Sequence, residues 1–147
     1  MSQEASVEGK VEGPLPVVDW LMGAGTNDPY LEGHKCGACG AVFLGERDNC
    51  SSCGARDQMS AERLSNKGKL YSYSIVHRSF PGIEVPYISA IVDLDGGGTV
   101  KGNLINIDPD PANLDFDMPV EVVFGDALGR KDKEGNSYIS YFFQPAA

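Results

Sequence analysis

The sequence has no cysteine to spare, and that shortage limits the chemistry first. Its four cysteines all fall within residues 36–53, and its only histidines are His34 and His77. Covalent acyl transfer needs an activated nucleophile with a base beside it. No Gly-x-Ser-x-Gly elbow is present, and neither histidine has a supporting motif. His77 falls on an alternating stretch with Tyr71, Tyr73 and Ile75, which reads as a satisfied barrel or interface histidine. Positive charge is also scarce, with 12 Lys and Arg against 21 Asp and Glu and a formal net charge of -9. The deficit is uneven. Residues 1–34 set six acids against Lys10 and residues 70–147 set eleven acids against five bases, while residues 35–69 alone are basic, with six bases to four acids. Nucleic-acid affinity rests on Lys and Arg neutralising phosphates, so this balance argues against such a partner. Apolar runs never approach the ~20 residues of a membrane-spanning helix, so no membrane partner is expected. The opening Met1-Ser2-Gln3-Glu4 has neither the basic nor the apolar region of an export signal, so a cytoplasmic, reducing location is expected and two disulfides are not.

What the sequence does have is concentrated. Cys36-Gly37-Ala38-Cys39-Gly40 is answered by Cys50-Ser51-Ser52-Cys53-Gly54. Each Cys-x-x-Cys turn bends two sulfurs toward one point, and the following glycine permits the left-handed backbone such a turn needs. Four thiolates fill a tetrahedron, so Cys36, Cys39, Cys50 and Cys53 are expected to hold a structural Zn2+ in a zinc ribbon. Iron uses the same four ligands, and residue type does not separate the two. His34, just before the first ligand, reads as a solvated neighbour.

Around the ribbon the chain divides into a mobile tail (1–13), a short helical segment (14–33), the ribbon (34–60) and a barrel (61–147). Pro16 at a first turn, the apolar Val17, Val18, Trp20, Leu21 and Met22, and Gly23 and Gly25 past the end predict a short helix; Pro29–Glu32 predicts a second short turn. Beyond the ribbon the period is near two. Strands are expected at Lys69–Phe80, Tyr87–Leu94, Thr99–Ile107, Pro119–Phe124 and Tyr138–Phe143, with Asp95-Gly96-Gly97-Gly98 closing a hairpin between the second and third. Five strands with the long connection after the third is the order of an OB-fold barrel, so the expected class is mainly β. Asp108, Asp110, Asp115 and Asp117, in that connection, read as turn and cap residues rather than a metal cluster.

Together the N-terminal segment, the paired Cys-x-x-Cys-Gly knuckles, Gly68-Lys69-Leu70-Tyr71-Ser72 and Pro86-Tyr87-Ile88 resemble the family known as domain of unknown function 35, or DUF35, over about Pro14–Pro145. The chain departs from that pattern where Gly23-Ala24-Gly25 and Pro29 interrupt what is often one helical run. The resemblance implies a rubredoxin-like zinc ribbon joined to an OB-fold. It also implies a non-catalytic subunit of a thiolase-like enzyme, in a hetero-oligomer with two copies of each chain. Partners in steroid side-chain aldolases or enoyl-CoA hydratases are the family's other branches; the branch most resembled accompanies a benzoylsuccinyl-CoA thiolase in aromatic compound degradation. An acyl-CoA shared with the partner is then the expected ligand. Its phosphates call for bases and its pantetheine arm for an apolar slot. The candidates are Arg63, Lys67 and Lys69 at the join of ribbon and barrel, Arg78 beside Phe80, and Lys101. Tyr71, Tyr73 and Phe80 would equally suit base stacking in a single-stranded nucleic-acid binder, the reading that net charge opposes.

Overall fold

The structure, a computed structural model, describes residues 13–146. The tail expected over residues 1–13 lies, apart from Gly13, outside the described residues, as does Ala147. Ten strands follow in chain order: β1 (Leu15–Pro16), β2 (Leu21–Met22), β3 (Tyr30–Cys36), β4 (Val42–Leu44), β5 (Met59–Arg63), β6 (Lys67–Val76), β7 (Tyr87–Leu94), β8 (Thr99–Leu104), β9 (Pro119–Lys131) and β10 (Ser137–Pro145). The sole helical turn among the described residues is a 3-10 turn, Pro111–Asn113, capped by the Asp110 side chain, which accepts from the Ala112 N–H at 2.9 Å.

Five strands close the barrel. β6 pairs with β7 and β7 with β8, all antiparallel; β8 meets β10 in parallel at Leu104 and Phe143; β10 pairs with β9, and β9 returns to β6 through Pro119 and Lys69. That circuit is the OB-fold order. The Asp95–Gly98 turn closes the β7–β8 hairpin as expected, and β7 coincides with the expected Tyr87–Leu94. β3 is the centre of a smaller sheet, with β2, β4 and β5 against it.

The N-terminal helices are corrected. The 14–33 segment contains no helix; β1 runs parallel to β10, Val17 donates its N–H to the Ile139 C=O at 3.1 Å, and β2 pairs with β3. The reason is local. Pro14 and Pro16 remove two donors, Val17 and Val18 are β-branched, and the stretch before Gly23 is too short to offset the cost of a helical nucleus. Backbone groups that a helix would have satisfied internally are satisfied on two neighbouring sheets instead. Likewise Pro29–Glu32, expected as a turn, mostly joins β3.

The first barrel strand is corrected as well. It runs Lys67–Val76 rather than Lys69–Phe80, and its register with β7 shifts between Leu70 and Ser72. That bulge moves Tyr71 out to solvent while Tyr73 and Ile75 pack on the core, so the expected shared face of Tyr71, Tyr73, Ile75 and His77 is broken. β8 ends at Leu104, short of Ile107, and β9 continues past Phe124 to Lys131.

One apolar core spans both sheets. Leu70, Val92, Val100, Val120 and Phe143 fill the barrel, and Leu21, Leu31 and Leu64 extend the same cluster under the small sheet. Of the last strand's aromatics, Phe143 is buried in this cluster and Tyr141 packs against it, while Phe142 is buried outside it. Where the sheets meet, a Cβ on Gly97 would stand 2.7 Å from Val42 Cγ2, so only glycine lets the hairpin turn approach β4 so closely.

Candidate metal centre and the ribbon–barrel cleft

The two knuckles are near copies. Gly40 N–H donates to the Cys36 C=O and Gly54 N–H to the Cys50 C=O, each at 2.9 Å, and both glycines are left-handed at φ of 83° and 81°. Nothing lies within 4 Å of a Cβ built on either, so conformation rather than space selects glycine there. β3 delivers Cys36 at its last residue and the second knuckle follows the loop after β4.

The four sulfurs lie within 4.8 Å of one another, with Cys36 Sγ to Cys53 Sγ at 3.8 Å and Cys39 Sγ to Cys50 Sγ at 3.6 Å. A disulfide would bring the sulfurs to about 2.05 Å; all four thiols are free. Thiolates ~2.3 Å from a central zinc stand ~3.8 Å apart, so the spacing fits a metal tetrahedron. Backbone donors favour charge on the sulfurs. The N–H groups of Cys53 and Ser52, at 3.4 and 3.3 Å, bring the Cys50 thiol down to about 6 against the opposing effect of burial. N–H groups of Cys39 and Ala38 lower Cys36 in the same way. At Cys53 the Ala55 N–H favours the thiolate, but desolvation and crowding by the other three sulfurs win and push it up to about 11. Such crowding is what a bound cation relieves. His34 stays outside this set. It sits in β3 opposite Phe43 and Ala61, and its Nδ1 is buried without a hydrogen-bond partner.

The expected acyl-CoA residues are not gathered in one place. Arg63, Lys67 and Lys69 stand where β5 leads into β6, whereas Arg78 and Phe80 lie past the exit of β6, whose ten residues span roughly 30 Å. Lys101 is on β8, opposite Ile91. Arg63 is already engaged. Its guanidinium makes a forked pair with Asp28, at 2.6 and 2.8 Å, and stacks 4.5 Å over the Tyr30 ring. That contact holds the Asp28 carboxyl below the usual range. A cleft of about 590 Å3 opens at the join, lined by Arg63 together with Lys35, Asn66, Asp95 and Gly97. Lys35, which was not among the sequence candidates, directly precedes Cys36, pairs with Ser60 of β5 and lines the same cleft as Arg63.

Comparison with known proteins agrees with this architecture. The family profile described as "ChsH2, C-terminal OB-fold domain" matches residues 61–125. The chain is 34% identical over 117 residues to a DUF35 domain-containing scaffold protein of Methanocaldococcus jannaschii, covering 78% of this chain and 81% of that one. It is 30% identical over 116 residues to the benzoylsuccinyl-CoA thiolase subunit BbsA of Thauera aromatica, covering 79% of this chain and 76% of that one. Among solved structures, the Ltp2-ChsH2(DUF35) aldolase superposes with a TM-score of 0.62 at 28% identity, covering 80% of this chain and 86% of its counterpart.

Proposed function

The chain belongs to the DUF35 family, and from that premise we propose that it is a non-catalytic accessory subunit of a thiolase-like acyl-CoA enzyme, holding zinc in its ribbon. The observation that carries this reading is the convergence of all four thiols on one point. A carbon–carbon cleavage of the thiolase type needs a cysteine nucleophile, and here each cysteine belongs to the four-sulfur cluster. Cys36, Cys39, Cys50 and Cys53 would hold the zinc, which supplies folding energy and rigidity and takes no part in bond making. The catalytic groups then come from the partner. The relatives' roles support this: one is a scaffold protein, another a thiolase subunit.

The acyl-CoA is shared with that partner at the ribbon–barrel join, where Lys67 and Lys69 stay available for phosphates and Arg63 is balanced by Asp28. We place the complex in the cytoplasm, as two copies of each subunit, acting on an aromatic acyl-CoA. The Ltp2-ChsH2(DUF35) neighbour favours a second partner class, an aldolase.

A tagged full chain purified from its own cells tests the reading. It should retain a thiolase- or aldolase-type subunit in equal amount by native mass spectrometry, and the partner's identity chooses between the two classes. Turnover of a CoA thioester by the isolated chain, or the absence of any such subunit, overturns it.

A further inference from the structure

Residues 77–86 join β6 to β7, and all ten are exposed. A loop that solvent alone shaped would be polar; this one carries Phe80, Ile83 and Val85 with Pro81 and Pro86. Phe80 is 79% exposed, the most of any large apolar side chain among the described residues, and Ile83 and Val85 are 36% and 37% exposed. The tip is built rather than slack. Phe80-Pro81-Gly82-Ile83 has proline at its second position, glycine at φ 89° at its third, and an Ile83 N–H donated to the Phe80 C=O at 3.2 Å, the features of a type II turn. The backbone that carries Phe80 and Ile83 is therefore fixed, with little freedom left to lose on binding. At the base of the loop, Arg78 forms no ion pair with any described carboxylate.

We propose that this loop is a plug that seats in a concave apolar socket on the catalytic partner, with a carboxylate on the socket's rim for Arg78. The inference rests on the accessory-subunit reading and names its docking element. Area chooses the occupant. Phe80 leaves roughly 150 Å2 outside, and with Ile83 and Val85 the apolar surface is on the order of 270 Å2. Two copies of a protruding tip meet convex against convex, touching through these three apolar side chains alone, and would bury on the order of 550 Å2 in total, the size of a crystal contact and well short of the ~1,200 Å2 of a stable interface; only a concave surface wraps the rest of the loop. A socket enclosing all ten residues reaches the ~800 Å2 that one side of a standard interface contributes, with Phe80 at its centre where hot spots lie. Nucleic acid does not fit this tip, which offers it one arginine and Glu84 beside the apolar residues. In this arrangement Arg78 and Phe80 meet protein, a strand's length from Lys67 and Lys69.

The experiment uses the full chain and the subunit that copurifies with it, re-purified separately, with affinity read by surface-immobilised titration. Phe80→Asp and Ile83→Asp are expected to weaken binding at least thirtyfold and Arg78→Glu about tenfold, with metal content unchanged throughout and melting temperature unchanged in Phe80→Asp and Arg78→Glu, whose side chains are exposed. Leu128→Asp removes an equally exposed apolar residue on β9, 72% exposed, and should leave affinity within twofold. Unchanged affinity in Phe80→Asp and Ile83→Asp overturns the plug while the accessory reading stands. An equal loss in Leu128→Asp overturns it as general surface stickiness. A dimer of the chain alone that dissociates on Phe80→Asp overturns the choice of partner over second copy. No binding by the unaltered chain overturns the accessory reading itself.

Discussion

At Cys50 two backbone N–H groups reach one sulfur, and the thiol is held near 6, so a thiolate is ready for a cation at neutral pH. Cys50→Ser replaces it with a hydroxyl that stays protonated. Metal affinity should fall at least about 100-fold, the upper end of what losing a hydrogen-bond partner of a ligand costs, and elemental analysis after dialysis should find the metal gone. Tyr141 gives a second residue-scale expectation. Its ring lies between Trp20 and Phe143, its hydroxyl donates to the Lys101 C=O, and burial pushes its ionisation above 10. The folded chain therefore keeps a proton that the unfolded chain releases first. Stability is fully present below pH 10 and is lost as pH rises from there through the folded value. Denaturant titrations across that window, with tyrosinate absorbance, should show the loss, and Tyr141→Phe should flatten it.

Among the elements, the Cys-x-x-Cys knuckles and the β7–β8 hairpin were legible because each is specified by a few adjacent residues: paired cysteines with their glycines, alternating apolar positions either side of Asp95–Gly98. The β1–β2 segment was not, since its apolar spacing suits a helix and only its neighbours decide otherwise. Pro16 and Val17 gain a partner in Ile139, more than 120 residues on, which no local pattern reports. The bulge after Leu70 was hidden for a related reason, because a one-residue slip leaves alternation intact on either side. The spread of the expected acyl-CoA residues was hidden as well: Arg63 and Arg78, fifteen positions apart, lie before and after the ten-residue β6, and spacing along a sequence does not report that a strand runs between them. Two predictions belong here. Gly97→Ala forces a Cβ onto Val42 in a left-handed backbone and should cost about 1–3 kcal/mol in a denaturant melt. Lys67→Glu with Lys69→Glu should weaken acyl-CoA binding by the complex about tenfold in calorimetry, with Arg63→Glu having less effect because Asp28 already balances that charge.

For the molecule as a whole, no helix among the described residues is long and apolar enough to cross a membrane, and the two sheets share one core. Stripping the metal should therefore do more than open the knuckles: with Leu21, Leu31 and Leu64 loosened, the barrel loses one side of its packing. We expect chelation to lower the melting temperature by on the order of 10 °C, with amide exchange slowest in β7 and β8. Trp20 sits at the seam itself, its ring 5.2 Å from Tyr141 of the barrel, its C=O accepting the Glu32 N–H of the ribbon sheet at 2.8 Å. As the chain's single indole it is a built-in optical gauge. Any event that parts one half from the other must alter its emission, so a cuvette and no attached dye suffice to watch the two halves separate.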